Sequence, residues 1–162
     1  MEIYLMQHGP NLPKEQDPDE GLSPEGDARI HASGKGLKKM GISLDVILAS
    51  PKKRSRQTAA IVAEEVGFPP EKIMETEKVK AMTPPEETIE VLREYGADTK
   101  VLIAGHLPSL AELASCLLTE GSHATIAFER GGCCRIDVEG LPTHSGHLRW
   151  YLTPEQLNLI AT

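Results

Sequence analysis

The 162-residue chain has little of three things: aromatic side chains, cysteine and long apolar runs. Aromatic residues make up 4% of it, and no uninterrupted apolar run is longer than five residues. Because a membrane-spanning helix needs about 20 consecutive apolar residues, we expect no segment that crosses a bilayer. The acidic N-terminal hexapeptide also lacks the basic start and apolar stretch of a secretory signal, so we expect a cytoplasmic protein.

The three cysteines, Cys116, Cys133 and Cys134, are an odd number, and two of them are adjacent. This pattern is unlike a disulfide framework and is typical of a reducing compartment. We expect the cysteines to be buried and to behave as small apolar side chains.

Positive charge is also scarce, because 17 Lys and Arg residues face 24 Asp and Glu residues, for a formal charge of -7. An acidic chain without a basic stripe would repel a nucleic-acid backbone, so no nucleic-acid partner is expected. One segment departs from this balance, with four cations within five residues: Lys52, Lys53, Arg54 and Arg56. Such a cluster is either a solvated helix face or part of an anion site.

What the chain does have is the composition of one ordinary globular domain, which we expect to span residues 1–162. Short apolar segments at 3–6, 46–49 and 101–104 predict strands, and longer segments with helical spacing separate them. Each strand is apolar on both faces of the pleat, so we expect a mostly parallel sheet covered by helices on both sides. The predicted class is α/β.

Helix starts are marked by Ser-Pro or Thr-Pro, which supplies an N-cap oxygen followed by proline at the first helical position. The four candidate caps are Ser23, Ser50, Thr83 and Thr153. Thr83 with Glu86 and Thr153 with Gln156 also have capping-box spacing. The first two helices are expected to end at Gly41 and Gly67. Beyond them, short strands are expected at 125–128, 133–138 and 147–152, extending one edge of the sheet.

Common nucleotide and hydrolase motifs are missing: there is no P-loop and no G-x-S-x-G segment. His144 and His147 are three residues apart, but no third ligand lies nearby. We therefore favour exposed turn histidines over a metal site, and we expect no metal.

The informative histidines are His8 and His106, because each directly follows an apolar strand. A third strand ends at Ser50, just before the helix that carries Arg54. In an open α/β sheet, ligands bind outside the carboxyl ends of the parallel strands, so these segments are expected to meet. Imidazole, guanidinium and a helix start together favour a dianion such as phosphate, and a neutral imidazole is also a nucleophile. The residues alone thus indicate a phosphate-handling α/β enzyme.

At these positions the chain resembles the histidine phosphatase superfamily, whose fold is the phosphoglycerate-mutase-like three-layer sandwich with a mostly parallel central sheet. Its small size resembles the SixA-type phosphohistidine phosphatases within that superfamily. Four segments in family order carry the resemblance: Leu5-Met6-Gln7-His8-Gly9, Leu22-Ser23-Pro24-Glu25-Gly26, Ser50-Pro51 with Arg54 and Gln57-Thr58-Ala59, and Gly105-His106-Leu107-Pro108.

The resemblance implies a phosphatase in which His8 attacks phosphorus and forms a transient phosphohistidine, with Arg54 and His106 holding the phosphoryl oxygens. It implies no cofactor, and its substrates would be a phosphohistidine-bearing protein or a small phosphomonoester metabolite. The family's general acid comes from the region of Glu86 and Glu87, although a capping role for Glu86 is the alternative that we favour.

The chain departs from the family at Gln7, which replaces the arginine before the nucleophile. A charged hydrogen bond contributes roughly 1.5 to 3 kcal/mol and a neutral one about 0.5 to 1.5 kcal/mol, so Gln7 should bind phosphate less strongly. An alternative function is therefore a catalytically weak phosphate- or phosphoprotein-binding module.

Overall fold

The computed structural model describes residues 1–120 and 124–162, and its centre is one six-stranded sheet. The strands are β1 (Glu2–Gln7), β2 (Val46–Ala49), β3 (Met74–Glu75), β4 (Lys100–Gly105), β5 (Cys133–Asp137) and β6 (His147–Leu152). Their order across the sheet is β3-β2-β4-β1-β5-β6. The first four strands in this order are parallel, and β5 and β6 are antiparallel to their neighbours.

Helices cover both faces of the sheet, as the fully apolar strands predicted. They are α1 (Pro24–Lys39), α2 (Lys53–Val66), α3 (Pro85–Leu92), α4 (Ser109–Leu118) and α5 (Pro154–Ala161). One apolar cluster joins α1, α2 and α5 to one face, and a second joins α3 and α4 to the other. Tyr4 and Met6 of β1 belong to the first cluster, whereas Ile3 and Leu5 belong to the second. The predicted three-layer α/β sandwich with a mostly parallel sheet is confirmed.

Two of the four predicted helix caps are confirmed. Ser23 accepts a hydrogen bond from Gly26 N at 3.0 Å, and Thr153 forms a complete capping box with Gln156. Gly26 is needed for a further reason, because a Cβ there would lie 2.0 Å from the carbonyl oxygen of Pro10. The start of α1 can therefore pack closely on the loop after β1.

The other two predicted caps are wrong. Thr83 does not cap α3: its hydroxyl donates to the Glu77 carbonyl at 3.1 Å, and the helix begins at Pro85. The second of the two adjacent prolines occupies the first helical position, which moves the helix start one residue along the chain. Ser50 does not cap α2 either, since the helix begins at Lys53 without a side-chain cap.

The strand predicted at 125–128 is also wrong, whereas those at 133–138 and 147–152 are confirmed as β5 and β6. Phe128 N donates to Ile126 O at 3.0 Å, a local bond that bends the backbone away from extended geometry. Ile126 and Phe128 instead pack against the α3–α4 side of the core, so their apolar pattern reflects burial without strand pairing.

Two cysteines behave as predicted, because Cys133 and Cys134 are buried, while Cys116 is partly exposed. Burial raises the pKa of all three thiols. None of the helices in residues 1–120 and 124–162 is both long and apolar enough to cross a bilayer.

Candidate active site

The carboxyl ends of β1, β2 and β4 lie side by side at one edge of the sheet, because these strands are adjacent and parallel. His8 N donates to Gly105 O at 3.0 Å, which links the end of β1 to the end of β4. Ser55 of α2 donates to Ala104 O at 2.6 Å, which places the first turn of that helix against the same edge. The three predicted segments therefore meet.

Two side chains of α2 connect it to the loops around the histidine at the end of β1. Thr58 accepts a hydrogen bond from Gly9 N at 3.1 Å and donates to Arg54 O at 2.8 Å. Gln57 accepts one from Leu22 N at 2.7 Å, just before the start of α1. These contacts fix the relative position of the two residues whose side chains meet in the site, His8 and Arg54.

The ring of His8 is oriented by its own backbone neighbour. Its Nδ1 lies 2.7 Å from Gly9 O, and because a carbonyl only accepts, Nδ1 carries the proton of this hydrogen bond. In the neutral ring, the lone pair is then on Nε2, which accepts from Arg54 Nε at 3.4 Å. The lone pair of His8 thus faces the guanidinium.

His106 completes the site from the end of β4. Its ring lies 5.1 Å from the ring of His8, centroid to centroid, at an angle of 56°. Its Nε2 is hydrogen-bonded to the Ser50 hydroxyl at 2.6 Å, and that hydroxyl also accepts from Lys52 N at 3.3 Å. Ser50, predicted as a helix cap, instead orients a histidine.

Both imidazoles are neutral at pH 7. Burial, together with the positive charges of Arg54 and Arg130, lowers the pKa of His8 to about 4, against opposing effects of Gly9 O and Glu20. Burial also lowers the pKa of His106 to about 3, assisted by His8 and by the positive charges of Arg54 and Lys52. The site therefore combines two uncharged rings with a guanidinium, an arrangement that attracts an anion and leaves a nitrogen lone pair available.

Comparison of the sequence with protein families gives a match to the histidine phosphatase superfamily (branch 1) over residues 3–81. The chain belongs to the histidine phosphatase superfamily. A protein of Picosynechococcus sp. that is itself uncharacterized is 30% identical to it, with 85% of this chain and 90% of that protein covered. Superfamily membership places the chain among the histidine-type phosphatases.

Solved structures share the fold at low sequence identity. The protein histidine phosphatase SixA, complexed with tungstate, is 20% identical with a TM-score of 0.85, over 97% of this chain and 99% of that one. A mycobacterial glucosyl-3-phosphoglycerate phosphatase, complexed with VO3, is 13% identical with a TM-score of 0.71, over 94% and 99% of the two chains. The phosphoglycerate-mutase-like architecture is thus shared along almost the whole chain.

The structure brings four of the six predicted site residues to this edge of the sheet: Gln7, His8, Arg54 and His106. Gln7 ends β1, is 8% exposed, and its amide forms no hydrogen bond with a described residue. An amide donor therefore remains free there.

Glu86 and Glu87, predicted as possible acids, form no hydrogen bond or ion pair with these four residues. Glu87 forms an ion pair with Lys78 at 2.6 Å on the surface of α3. Glu86 is exposed on the same helix, near enough to Cys116 to raise the pKa of its thiol after the effect of burial. The predicted capping role of Glu86 is wrong as well, because Thr83 does not cap the helix.

Two of the four cations in the segment 52–56 have carboxylate partners in the described chain, and two do not. Lys53 pairs with Asp17 at 2.8 Å, and Arg56 lies 3.8 Å from Glu75, so both cations have carboxylate partners. Lys52 is exposed, and its charge contributes to the low pKa of His106. Arg54 is thus the member of the cluster whose side chain contacts a histidine ring.

His144 and His147 do not form a metal site with other described residues. His144 Nδ1 donates to Cys116 O at 2.6 Å, and His147 is exposed at the start of β6. Three residues around the candidate site were missed: Ser50 and Thr58 as positioning groups, and Arg130, which acts on His8 from a distant part of the sequence. For Ser50, the signal was its position directly after a parallel strand.

Proposed function

We propose that this chain hydrolyses the phosphoramidate bond of phosphohistidine on a protein, through a covalent intermediate on His8. The observation that carries the proposal is the His8 ring itself, with its proton on Nδ1 and its lone pair on Nε2 beside Arg54. An unprotonated nitrogen next to a bound guanidinium suits nucleophilic attack on a phosphoryl group.

In the first step, Nε2 of His8 forms a bond to phosphorus while the bond from phosphorus to the substrate imidazole breaks. The leaving imidazole takes its lone pair and departs as a neutral ring when its other nitrogen carries the proton. His8 is then phosphorylated on Nε2, and its Nδ1 keeps its proton, which is still donated to Gly9 O.

Arg54 and His106 stabilise the transferring group. In our proposal, the Arg54 guanidinium moves its hydrogen bond from His8 Nε2 to the phosphoryl oxygens when an anion binds. Ser50 accepts from Lys52 N and donates its hydroxyl proton to His106 Nε2, which leaves the ring proton on Nδ1 as a donor to the anion. Donors fixed before the reaction stabilise the charge that spreads over these oxygens.

In the second step, water attacks phosphorus and the bond to His8 Nε2 breaks. The products are inorganic phosphate and the neutral His8 ring, so the cycle consumes one water and needs no metal or organic cofactor.

The missing acid favours phosphohistidine over a phosphomonoester. An alkoxide leaving group needs a proton from a positioned acid. An imidazole whose other nitrogen already carries a proton leaves as a neutral ring and needs no such acid. Within the described residues, no carboxylate is hydrogen-bonded or ion-paired to His8, Arg54 or His106. A small phosphomonoester is accordingly the second substrate class.

The alternative function, a weak phosphoprotein-binding module, is favoured by Gln7, because a neutral amide replaces the charged donor of the family at that position. The two functions share the anion site and differ in turnover.

The deciding experiment compares His8→Ala with His147→Ala, which removes an exposed imidazole on β6. We expect His8→Ala to abolish release of phosphate from a histidine-phosphorylated phosphotransfer domain, while His147→Ala leaves it unchanged. Rapid acid-free quenching of the unsubstituted chain should trap phosphate on His8, located by mass spectrometry. Full activity of His8→Ala would exclude the mechanism.

The same assay separates the alternatives. A binding module would show negligible release of phosphate but would bind the phosphorylated domain, with affinity lost in Arg54→Ala. A preference for p-nitrophenyl phosphate over the phosphorylated domain in kcat/KM would favour the phosphomonoester class.

A further inference from the structure

Two arginines form no ion pair in the part of the chain that the structure describes. The chain has seven arginines, and those in ion pairs are Arg29, Arg56, Arg93, Arg135 and Arg149. Within the described residues, Arg54 and Arg130 form none, and the Arg130 guanidinium has no hydrogen bond either. A guanidinium without a carboxylate partner is available to an anionic ligand. One of these two arginines is already in the site.

The turn that carries Arg130 is joined to the strand that carries the proposed nucleophile. Gly131 N donates to Gln7 O at 2.9 Å, so Arg130 lies one residue from a direct contact with the end of β1. Gly131 has a φ of +87°, a conformation that favours glycine, and its carbonyl accepts from the buried Ser33 hydroxyl at 2.8 Å. The backbone next to Arg130 is therefore fixed against both β1 and α1.

The other side of the turn is fixed as well. Glu129 N donates to the Tyr151 hydroxyl at 2.8 Å, and Arg29 Nη1 donates to the carbonyl of Arg130 at 3.4 Å. The Arg130 side chain itself is exposed. A rigid backbone thus carries an accessible and unpaired guanidinium.

The charge of this guanidinium reaches the proposed nucleophile. Besides burial, the two positive charges that lower the pKa of His8 are those of Arg54 and Arg130. Gln7, whose carbonyl holds the turn with Arg130, carries a nearly buried amide without a hydrogen-bond partner in the described chain. The site therefore has a neutral donor where the family has a cation, and an unpaired cation on the adjacent turn.

We propose that Arg130 supplies the positive charge that is missing at position 7 and binds the phosphoryl group held at His8. This inference rests on the proposed function, since it needs an anion at the site. Arg130 would then be a substrate-binding residue that lies outside the four family motifs.

The test measures binding of inorganic tungstate by calorimetry to the unsubstituted chain, R130A and R149A. Arg149 is an exposed arginine on β6 with a long ion pair of 3.9 Å, and it serves as the matched control. We expect R130A to weaken tungstate binding about tenfold, because a charged hydrogen bond is lost, and R149A to stay within about twofold. R130K, which keeps the charge without the fork, should lie between the two. Equal affinities for R130A and R149A would overturn the proposal.

The replacement of Gln7 is tested by a double-mutant cycle with Q7R. If Arg130 supplies the charge that an arginine at position 7 would supply, R130A should weaken tungstate binding by less than about threefold in the Q7R background. An undiminished tenfold loss there would contradict the replacement. Should Q7R not fold, the order R149A, R130K, R130A in tungstate affinity still decides whether Arg130 binds the anion.

The failure of this inference is distinguishable from failure of the proposed function. Tungstate binding does not need turnover, so a chain that binds it through Arg130 and releases no phosphate would exclude only the hydrolysis. Release of phosphate that depends on His8 but is unaffected by R130A would exclude only the role of Arg130.

Discussion

His8 and His106 are almost completely buried, at 6% and 3% exposed, in a part of the molecule that also holds a half-buried arginine. Burial disfavours the charged form of an imidazole, and the neighbouring cations add to this effect. Desolvation makes the protonated, cationic form of the His8 ring unfavourable. It therefore keeps the Nε2 lone pair of His8 available at neutral pH. In the proposed function, attraction for phosphate then comes from a guanidinium and not from imidazolium.

The protonation of His8 gives a direct prediction. Because its pKa is lowered to about 4, His8 should remain neutral with its proton on Nδ1 from neutral pH down to about pH 5. Nitrogen-15 NMR of the labelled histidine rings measures both the titration midpoint and the tautomer. This measurement is preferable to a pH–rate profile, since a phosphomonoester substrate itself titrates near pH 6. A midpoint near 6.5, or a proton on Nε2, would contradict the proposed role of the ring.

At the residue scale, the sequence was sufficient for groups that follow a strand directly. His8 and His106 were predicted because the strand ends of a parallel sheet converge, and Arg54 because it lies in the helix that follows a third strand end. Arg130 could not be predicted in this way, since it lies in a turn whose place beside β1 is set by the antiparallel pairing of β5. The hydrogen bond from Gly131 N to Gln7 O that holds this turn is a backbone contact, which leaves no mark on the sequence.

Among the elements, α2 contributes most to the site. Its first turns carry Arg54, Ser55 and Thr58, each in contact with a different strand end or loop. Its later turns pack on the sheet through apolar residues, which is the part that helical spacing predicted. One helix thus anchors in the core at one end and positions the anion site at the other.

A substitution of Thr58 tests whether the first turns of α2 position the site. Thr58→Val keeps the shape of the side chain but removes the acceptor of Gly9 N and the donor to Arg54 O. A buried group left unpaired costs about 1–3 kcal/mol, and the loop with His8 should shift relative to Arg54. We expect lower stability in urea unfolding together with a fall in kcat for phosphate release.

The matched control is Thr88→Val on α3. Thr88 is also buried and donates to a backbone carbonyl, that of Lys78 at 2.6 Å, on an element without site residues. It should lower stability by a similar amount while kcat stays unchanged. If the two variants lose kcat equally, the contacts of Thr58 have no special part in positioning the site.

The elements that the sequence predicted wrongly share a physical cause. Ser50 and Thr83 have the local pattern of helix caps, yet their hydroxyls bond outside the helices that follow them, Ser50 to His106 and Thr83 to the carbonyl of Glu77. The segment at 125–128 has the pattern of a strand, but its apolar residues find burial against the core without a strand partner. Local patterns specify which groups need a partner, and the tertiary structure decides which partner they obtain.

For the molecule as a whole, a formal charge of -7 coexists with a locally positive site. The carboxylates of Asp17 and Glu75 pair with Lys53 and Arg56, so within the basic cluster Lys52 and Arg54 are the cations without a carboxylate partner in the described part of the chain. Positive charge thus remains beside the histidines of an otherwise acidic chain, where it attracts anions locally.

The buried histidines also couple the stability of the whole fold to pH. A histidine whose pKa is lower in the folded state binds fewer protons there than in the unfolded state, so acid favours unfolding. For His8, the stabilisation is fully present above the unfolded pKa of about 6.5 and is lost as pH falls towards the folded value of about 4. Its share of the loss between pH 7 and pH 5 is about 2 kcal/mol, and His106 acts in the same direction. Urea unfolding of the unsubstituted chain and of His8→Asn across this range measures the effect, with His147→Asn as the control for an exposed imidazole. We expect a flatter pH dependence in His8→Asn alone; parallel curves for all three chains would mean that the ring of His8 is not held neutral by the fold.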